Sequence, residues 1–363
     1  MGIKCGIVGL PNVGKSTLFN ALTAAEIPAD NYPFCTIDPN IGIVSVPDSR
    51  LEAIAEIVKP GRVVPSVIEF VDVAGLVAGA SRGEGLGNRF LAHVRETDAI
   101  VHLVRCFEND DVTHVSGRID PIGDIELIET ELLLADLQTV ETSLLKAERN
   151  AKTNDKHDVA HRDLLRTVRD ALAAGQPLRD LASSAPEREM LRELHLITAK
   201  PVMYIANVAE HELHGNALAE LVIEYAHQHG AQTVVVSAAI EAELAQLSTE
   251  EAAEFLAELG LAEPGLHRVI RAAYRLLALS TFYTTGAKEV RAWTLPRGAT
   301  AFEAAGAIHT DFQRGFIRAE VVACDSFVRY GGEHGAREAG ELRLEGKSYV
   351  VRESDVIRFR FNV

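Results

Sequence analysis

The sequence predicts an α/β protein with a doubly wound parallel sheet, an inserted helical hairpin and a smaller C-terminal unit. Three observations favour this fold. Short apolar runs rich in β-branched residues alternate with segments of helical period, as strands and helices do around a parallel sheet. A long heptad-like stripe interrupts this alternation. After residue 279 the chain carries 12 Lys and Arg against 11 Asp and Glu, whereas the whole chain has a net charge of −16.

The composition indicates a globular chain with more than one domain. The 363 residues are 47% hydrophobic and 24% charged, and no run of 18 apolar residues occurs, so neither a membrane span nor a signal peptide is expected. The four cysteines are scattered without a C-x-x-C pair, which favours a reducing, cytoplasmic setting. The acidic net charge argues against indiscriminate binding to nucleic acid.

The first strand and helix are joined by residues 9–16, which match the phosphate-binding pattern G-x-x-x-x-G-K-[ST]. An apolar run precedes this loop and a helical pattern follows it, which is the context that the motif requires. Its backbone N–H groups would bind phosphate oxygens, Lys15 would place a charge at the β- and γ-phosphates, and Ser16 would bind Mg²⁺. The nucleotide-binding residues predicted in this loop are Asn12, Val13, Gly14, Lys15, Ser16 and Thr17.

Two further segments are predicted to complete the site for Mg²⁺ and the γ-phosphate. The turn-rich loop at 31–40 contains Thr36, which can complete the Mg²⁺ shell and sense the γ-phosphate, with a plain surface threonine as the alternative. The strand at 67–71 is followed by Asp72. Its carboxylate can contact the ligands of the Mg²⁺ ion and so help to hold the ion. Gly75 can then present a backbone N–H to the γ-phosphate.

Leu76 stands where many nucleotide-hydrolysing switches carry the glutamine that orients the attacking water. Its side chain cannot form hydrogen bonds, so either hydrolysis is very slow or another residue supplies this function. His114 is a candidate because it lies in the acidic loop after the strand at 99–104, at the sheet edge where ligands bind. An imidazole there could orient or deprotonate water, and a bystander histidine is the alternative.

From residue 124 the pattern becomes that of a helical hairpin. Apolar residues recur at spacings of four and three over 133–151, and a polar turn at 154–158 leads into a second helical segment. Two helices joined by a short turn are expected to pack antiparallel. Strand patterns return at 200–206 and 233–236, so the hairpin is an insertion into the α/β domain. Its basic residues alternate with acidic ones, which favours a solvated face over an RNA-contacting one.

The base preference is predicted from Asn207-Val208-Ala209-Glu210, which occupies the place of the guanine-reading motif N-K-x-D. In that motif the aspartate accepts two hydrogen bonds from guanine, whereas Glu210 is one methylene longer and Val208 replaces the lysine. Without these paired acceptors a strong preference for guanine is not expected. The Asn207 amide can pair with N6 and N7 of adenine. The sequence therefore predicts ATP over GTP, with a turn unconnected to the base as the alternative.

Together these motifs closely resemble the YchF family of Obg-related P-loop proteins, over essentially the whole chain. The resemblance rests on residues 9–16, Pro33-Phe34-Cys35-Thr36-Ile37-Asp38-Pro39, Asp72-Val73-Ala74-Gly75-Leu76, Arg105-Cys106-Phe107, Asn207-Val208-Ala209-Glu210 and Lys288-Glu289-Val290-Arg291-Ala292-Trp293-Thr294. It implies a P-loop nucleotide-binding domain at 1–124 and 199–279. It also implies an inserted coiled-coil domain at 125–198 and a TGS domain of β-grasp type at 280–363.

The resemblance also implies roles for individual residues. The family hydrolyses ATP despite belonging to a GTPase class, has a hydrophobic residue at the position of Leu76 and uses a histidine that matches His114 as its catalytic residue. Lys15 is the second residue predicted to act in catalysis. Asn12 would help to bind K⁺, as in some relatives. The nucleotide-binding residues predicted outside the phosphate loop are Gly75, Phe107, Asn207, Val208, Glu210 and Ser237.

The predicted function is a slow, Mg²⁺-dependent ATPase that cleaves the β–γ anhydride, with GTP as a candidate second substrate. The chain is expected to act as a monomer and to associate with ribosomes or RNA through its TGS and coiled-coil domains. The residues predicted to contact RNA are Arg329, Arg337, Arg343, Lys347, Tyr330 and Tyr349, with a purely structural domain as the alternative. Two other functions stay open: a binding regulator controlled by ATP occupancy, and a conventional GTPase.

Overall fold

The computed structural model describes residues 3–24, 40–73, 86–109, 118–153, 155–181 and 184–362. The chain divides into two compact units. Of the described residues, the first unit contains 3–24, 40–42 and those within 69–273. The second contains 43–68 and 274–362.

The secondary structure alternates between strands and helices for much of the chain. The strands are β1 (Lys4–Val8), β2 (Ile41–Ser45), β3 (Val63–Val64), β4 (Val67–Asp72), β5 (Ala99–Arg105), β6 (Val202–Asn207), β7 (Gln232–Val236), β8 (Leu279–Thr285), β9 (Val290–Pro296), β10 (Phe316–Ala323), β11 (Arg343–Glu345) and β12 (Asp355–Phe361). The helices are α1 (Lys15–Ala24), α2 (Ser49–Val58), α3 (Leu86–Arg95), α4 (Pro121–Asn150), α5 (Lys156–Ala173), α6 (Ala185–Arg192), α7 (Ala217–Gln228), α8 (Ala238–Leu244), α9 (Thr249–Glu258), α10 (Gly265–Leu276), α11 (Ala301–Ile308), α12 (Thr310–Arg314), α13 (Cys324–Arg329) and α14 (Glu333–Glu338).

The first sheet has the strand order β2-β4-β1-β5-β6-β7. Its central pairs, from β4 through β1, β5 and β6 to β7, are all parallel. Strands β5 and β6 are buried along their whole length, as expected for the middle of a parallel sheet. The predicted α/β class is therefore confirmed. Because the strands are parallel, the residues that end them meet at one edge of the sheet.

Helices α4 and α5 pack against each other and are joined by a short connection. Asp120 caps α4 by accepting the N–H of Gly123, and Asp155 caps α5 by accepting the N–H groups of His157 and Asp158. The shared apolar core of the two helices and the segment that follows them contains Val140, Leu144, Ala147, Leu165, Val168, Leu172, Leu178 and Leu196. Val140, Leu144 and Ala147 of the predicted stripe are buried in this core, and Leu133 and Leu137 pack against it partly buried.

Buried polar groups fasten this helical pair to the first sheet. The fully buried Asp136 of α4 accepts hydrogen bonds from the N–H groups of Ile197 and Thr198 at 2.9 and 2.7 Å and from the Thr198 hydroxyl at 2.7 Å. Glu129, also in α4, pairs with Arg179 and accepts hydrogen bonds from the hydroxyls of Tyr204 and Tyr225, at 3.2 and 3.1 Å. The chain returning from the helices is therefore held at the start of β6.

The second unit contains a mixed sheet with the order β11-β10-β12-β8-β9-β3. One apolar cluster of this unit includes Leu51 and Ile54 of α2 together with Tyr283 and Val290. The Tyr283 hydroxyl also donates to Asp48, the N-cap of α2, at 2.6 Å.

Residues 43–68 group with 274–362 in the compact second unit. The domain bounds 1–124 and 199–279 for the nucleotide-binding domain stay a prediction. In the structure Leu51 and Ile54 are buried against strands that come more than 200 residues later. This long-range packing leaves no local signal in the sequence. None of the helices in the described ranges combines the length and apolar character needed to cross a bilayer.

Replacing Leu165 by alanine should destabilise the helical pair. Leu165 is 0% exposed in the shared core, so Leu165→Ala removes buried methyl groups and leaves a cavity. We expect the free energy of unfolding, measured by urea denaturation with circular dichroism, to fall by about 2–5 kcal/mol. Leu145→Ala is the matched control, because Leu145 of α4 is 60% exposed and should change stability by less than about 0.5 kcal/mol. Equal losses in both variants would contradict this assignment of the core.

Candidate nucleotide-binding site

The phosphate loop occupies residues 9–14, between β1 and α1. Asn12 and Gly14 have φ angles of +64° and +93°, so the chain turns sharply and enters α1 at Lys15. The N–H groups of the first helical turn lack partners within the helix and form a site for anions. Val13 is buried and anchors the loop, whereas the side chains of Ser16 and Thr17 are exposed at the start of the helix.

Lys15 and Asp72 form an ion pair at the carboxyl edge of the sheet. Asp72 ends β4, which lies beside β1, and is paired in register with Ile7. The side chains of Lys15 and Asp72 are only 10% and 22% exposed, so the pair is largely shielded from water. Two residues predicted separately, one for phosphate and one for Mg²⁺, are thus brought together.

A cavity of about 860 Å³ lies beside the phosphate loop, which is within the size range of small-molecule sites. Its lining includes the predicted residues Asn12, Gly14, Lys15, Ser16, Thr17, Phe107, Asn207, Val208, Glu210 and Ser237. Residues that were not predicted also line it: Leu10, Pro11, Glu108, Asn109, Ala209, His211, Ala238 and Ala239. Loops that follow β1, β5, β6 and β7 therefore converge on one space.

Asn207 links the phosphate loop to the far wall of this cavity. Its buried amide Nδ2 donates to the carbonyl of Val13 at 2.8 Å, and its Oδ1 accepts the N–H of Ala238 at 2.9 Å. The sequence suggested that this amide reads the adenine edge and gave no sign of the link to Val13. An adenine contact would have to use the second N–H of the amide and the second lone pair of Oδ1. The side chain thus positions two loops whatever base is bound.

Arg105 holds the wall that carries Phe107. It is 1% exposed, and its guanidinium donates from Nε to the carbonyl of Phe107 and from Nη2 to that of Asn109, both at 3.2 Å. The same group lies 4.6 Å from the centre of the Phe107 ring. Burial lowers the pKa of Arg105, while the charge of Asp124 opposes this shift. From the sequence, Arg105 is predicted only as part of the motif Arg105-Cys106-Phe107. Its position at the end of a buried strand is the signal that could have indicated a structural role.

The turn after β6 is held by Asn216, which sequence reasoning missed. Its Nδ2 donates to the carbonyl of Cys106 at 2.7 Å and to Glu212 at 2.8 Å. These bonds join the turn that presents Glu210 to the loop that presents Phe107. Burial raises the pKa of the Cys106 thiol to about 12, so it stays neutral.

Ser237 offers a polar group to the cavity. It is 1% exposed and lies at the N-cap position of α8, but its side chain makes no capping hydrogen bond. Within the described part of the chain its buried hydroxyl has no hydrogen-bond partner. This hydroxyl is therefore available to a bound ligand. Glu210, by contrast, is exposed at the cavity rim.

The oxygen donors of Ser16 and Asp72 suit Mg²⁺, which prefers hydroxyl, carboxylate, water and substrate phosphate ligands. Ser16 lies in the first turn of α1, and Asp72 is joined to the start of the same helix by its ion pair with Lys15. Thr36, Gly75 and His114 lie outside the described residues. Their predicted roles in binding Mg²⁺, the γ-phosphate and the attacking water stay predictions.

Two family models match the chain. A model described as a 50S ribosome-binding GTPase matches residues 4–135. A second model, named YchF-GTPase_C and described as a protein of unknown function, matches residues 279–362. The two matches cover the phosphate loop and most of the second unit.

Several curated proteins resemble the chain along its whole length. The Ribosome-binding ATPase YchF of Haemophilus ducreyi is 58% identical over 363 residues, covering 100% of both chains. Proteins of the same name from Escherichia coli O157:H7 and Bacillus subtilis are 56% and 52% identical, again covering 100% of both chains.

Solved structures give a similar result. The Schizosaccharomyces pombe YchF GTPase is 36% identical with a TM-score of 0.89, covering 99% of this chain and 98% of its own. A GTP binding protein from Pyrococcus horikoshii OT3 has a TM-score of 0.60 at 17% identity, covering 99% of this chain and 100% of its own, and so shares the fold.

Replacing Asn207 by aspartate should weaken nucleotide binding. Asn207→Asp keeps the shape of the side chain but puts an anionic oxygen in place of the amide that donates to the Val13 carbonyl. The phosphate loop would lose its link to β6, and we expect affinity for Mg·ATP, measured by calorimetry, to fall by about tenfold or ~1.4 kcal/mol. The control Asn20→Asp changes an exposed residue of α1 in the same way. Unchanged affinity in Asn207→Asp would show that the link is not needed.

Proposed function

Because the chain belongs to the YchF family, we propose that it is an ATPase that acts as a nucleotide-controlled switch on ribosomes. The observation that carries this proposal is the cavity at the carboxyl edge of the sheet, where the phosphate loop and the buried Asn207 meet. Relatives with more than half of their residues identical to this chain are named ribosome-binding ATPases. Lys15 supplies the charge for the phosphates, and Asn207 holds the loop in shape.

In the proposed reaction, Lys15 exchanges its partner Asp72 for the oxygens of the β- and γ-phosphates. Asp72, Ser16 and Thr36 would hold Mg²⁺, which when bound would supply positive charge at the transferred phosphoryl group. Gly75 donates its N–H to the γ-phosphate. His114 orients the attacking water in place of a glutamine, since Leu76 cannot. Asn12 is proposed to help hold K⁺.

We assign the base to the space between Phe107 and Ser237, which both line the cavity. The ring of Phe107 is held by Arg105 and can cover the base, while the buried Ser237 hydroxyl can bond to it. Glu210 occupies the place of an aspartate that reads guanine, but its longer side chain is exposed at the rim. The site is therefore better suited to ATP than to GTP.

The remaining parts of the proposal concern the other segments. We assign α4 and α5 to an inserted coiled-coil domain at 125–198, and the C-terminal part of the second unit to a TGS domain. The TGS domain is the proposed element for contact with ribosomal RNA. The setting is proposed to be cytoplasmic, and the protein to be a monomer.

The preference for ATP is tested by measuring affinity for ATP and GTP side by side. We expect ATP to bind at least about tenfold more tightly, because paired acceptors for guanine are missing. Glu210→Asp shortens the side chain towards the guanine-reading length and should reduce this ratio by raising affinity for GTP. Glu220→Asp, an exposed change in α7 outside the cavity lining, is the control. Tighter binding of GTP by the unaltered protein would support a conventional GTPase instead.

His114→Ala should separate hydrolysis from binding. We expect the turnover of ATP to fall by about 10²-fold or more, as for other positioned acid–base groups, while affinity for ATP is kept. His334→Ala is the control, since His334 is 87% exposed and lies in α14. Phosphate release measures the turnover of ATP, and calorimetry measures the affinity for ATP. Unchanged turnover would exclude the proposed role of His114.

The same variant tests a second function, that of a regulator controlled by ATP occupancy alone. This alternative is favoured because Leu76, which cannot orient water, stands where many switches carry a glutamine. If His114→Ala still associates with ribosomes in an ATP-dependent cycle and keeps its biological activity, hydrolysis is incidental.

A further inference from the structure

One charged patch of the second unit takes no part in the nucleotide site. We define the arginine face as Arg318, Arg337, Arg358 and Arg360 together with Glu320 and Glu333. Strands β10 and β12 are antiparallel and pair Arg318 with Arg360 and Glu320 with Arg358. Directly opposed residues and those two apart share one side of a sheet. The three strand arginines and Glu320 therefore lie on the same side.

Two glutamates hold these arginines next to one another. Arg360 donates from Nε and Nη2 to the two oxygens of Glu320, at 3.0 and 3.1 Å. Glu320 also lies 3.7 Å from Arg318 and from Arg337, and these hydrogen bonds and charges hold the pKa of its carboxyl below the ordinary value. Glu320 is thus a buried, ionised centre for three guanidinium groups.

Glu333 of α14 completes the patch. It accepts a hydrogen bond from Arg337 at 2.8 Å and lies 3.3 Å from Arg358. Four positive charges therefore surround two negative ones, in a chain whose net charge is −16. The patch keeps an excess of positive charge after its internal pairing.

The arginines of this face stay open to solvent. Their side chains are between 42% and 54% exposed, whereas Glu320 is 6% exposed. Each guanidinium has five N–H donors, and these pairings use only some of them. The remaining N–H donors lie on two neighbouring strands, and such a set suits a ligand with several anionic oxygens. Guanidinium groups bind phosphate in a bidentate way.

We propose that the arginine face binds the phosphate backbone of RNA, and that it is the contact of the second unit with ribosomal RNA. This inference rests on the proposed function, because it names a surface that serves the association with ribosomes. RNA is favoured over an acidic protein because the centre of the face is charged. Interfaces with nucleic acid are strongly positive, whereas the centres of protein–protein interfaces are depleted of charge.

This assignment differs from the RNA-contacting residues expected from sequence. Arg343 donates to the Tyr349 hydroxyl at 3.0 Å and pairs with Asp355, and Tyr349 donates to Asp355 at 2.7 Å. Lys347 lies over the ring of Phe302. Arg343 and Tyr349 therefore have partners within the unit, as the arginines of the face do, and Lys347 is exposed. Their predicted contact with RNA stays a prediction. Of the six residues named from the sequence, Arg337 is the one that belongs to the arginine face.

The proposal is tested with the double variant Arg318→Ala/Arg358→Ala. These arginines make the longer ion pairs, so Glu320 keeps Arg360 and is not left buried without a partner. We expect affinity for purified ribosomes and for a short RNA hairpin to fall by about tenfold. The slope of log affinity against log salt should decrease by between about one and two. ATP turnover and melting temperature should stay unchanged.

The control Arg297→Ala/Arg314→Ala removes the same charge from exposed positions outside the arginine face. It should keep the affinity and salt dependence of the unaltered protein. If both double variants lose affinity equally, bulk charge explains binding and the face is not a site. Stronger competition by poly-glutamate than by RNA would overturn the proposal in favour of an acidic protein.

The two levels of the proposal fail differently. If the unaltered protein binds neither ribosomes nor the RNA hairpin, the proposed association with ribosomes fails, and the arginine face fails with it. If the unaltered protein binds ribosomes and Arg318→Ala/Arg358→Ala binds them equally well, the arginine face is excluded while the association stands.

Discussion

The shape of the candidate nucleotide site depends on the two hydrogen bonds of one buried amide. Asn207 ends a fully buried strand and joins the carbonyl of Val13 to the N–H of Ala238. The tight approach leaves no room for a side chain at Gly14, where a Cβ would lie 2.4 Å from Nδ2 of Asn207. The positive φ of Gly14 and the buried amide are therefore one constraint. It sets the curvature of the phosphate loop before any ligand arrives.

Further polar side chains fix the other walls of the cavity, as Asn207 fixes the phosphate loop. Arg105 and Asn216 donate to part-buried backbone carbonyls beside the cavity. Such a hydrogen bond contributes about 0.5–1.5 kcal/mol net, so these side chains stabilise the loops as well as shaping them. Among the described residues, the buried hydroxyl of Ser237 has no hydrogen-bond partner and is left for a ligand.

Much of the first unit could be predicted because its signals are local. The phosphate loop, Asp72 and the Asn207 turn each follow an apolar strand, and parallel strands bring such ends together. The link from Asn207 to Val13 could not be found in this way, since it spans 194 residues. Nor could the packing of α2 with the C-terminal strands, because an amphipathic helix shows which face is buried but not against what. Nor does the sequence show that Asp355 engages both Arg343 and Tyr349, two of the residues predicted to contact RNA.

Helix α4 connects the cavity wall that carries Phe107 with the core of the helical pair. Its first turn contains the buried Asp124, whose charge acts on Arg105, the residue that holds Phe107. Further along, Asp136 fixes the return of the chain to β6, the strand that ends in Asn207. The first turn of α4 and the segment that follows the helical pair are therefore both tied to residues that shape the cavity.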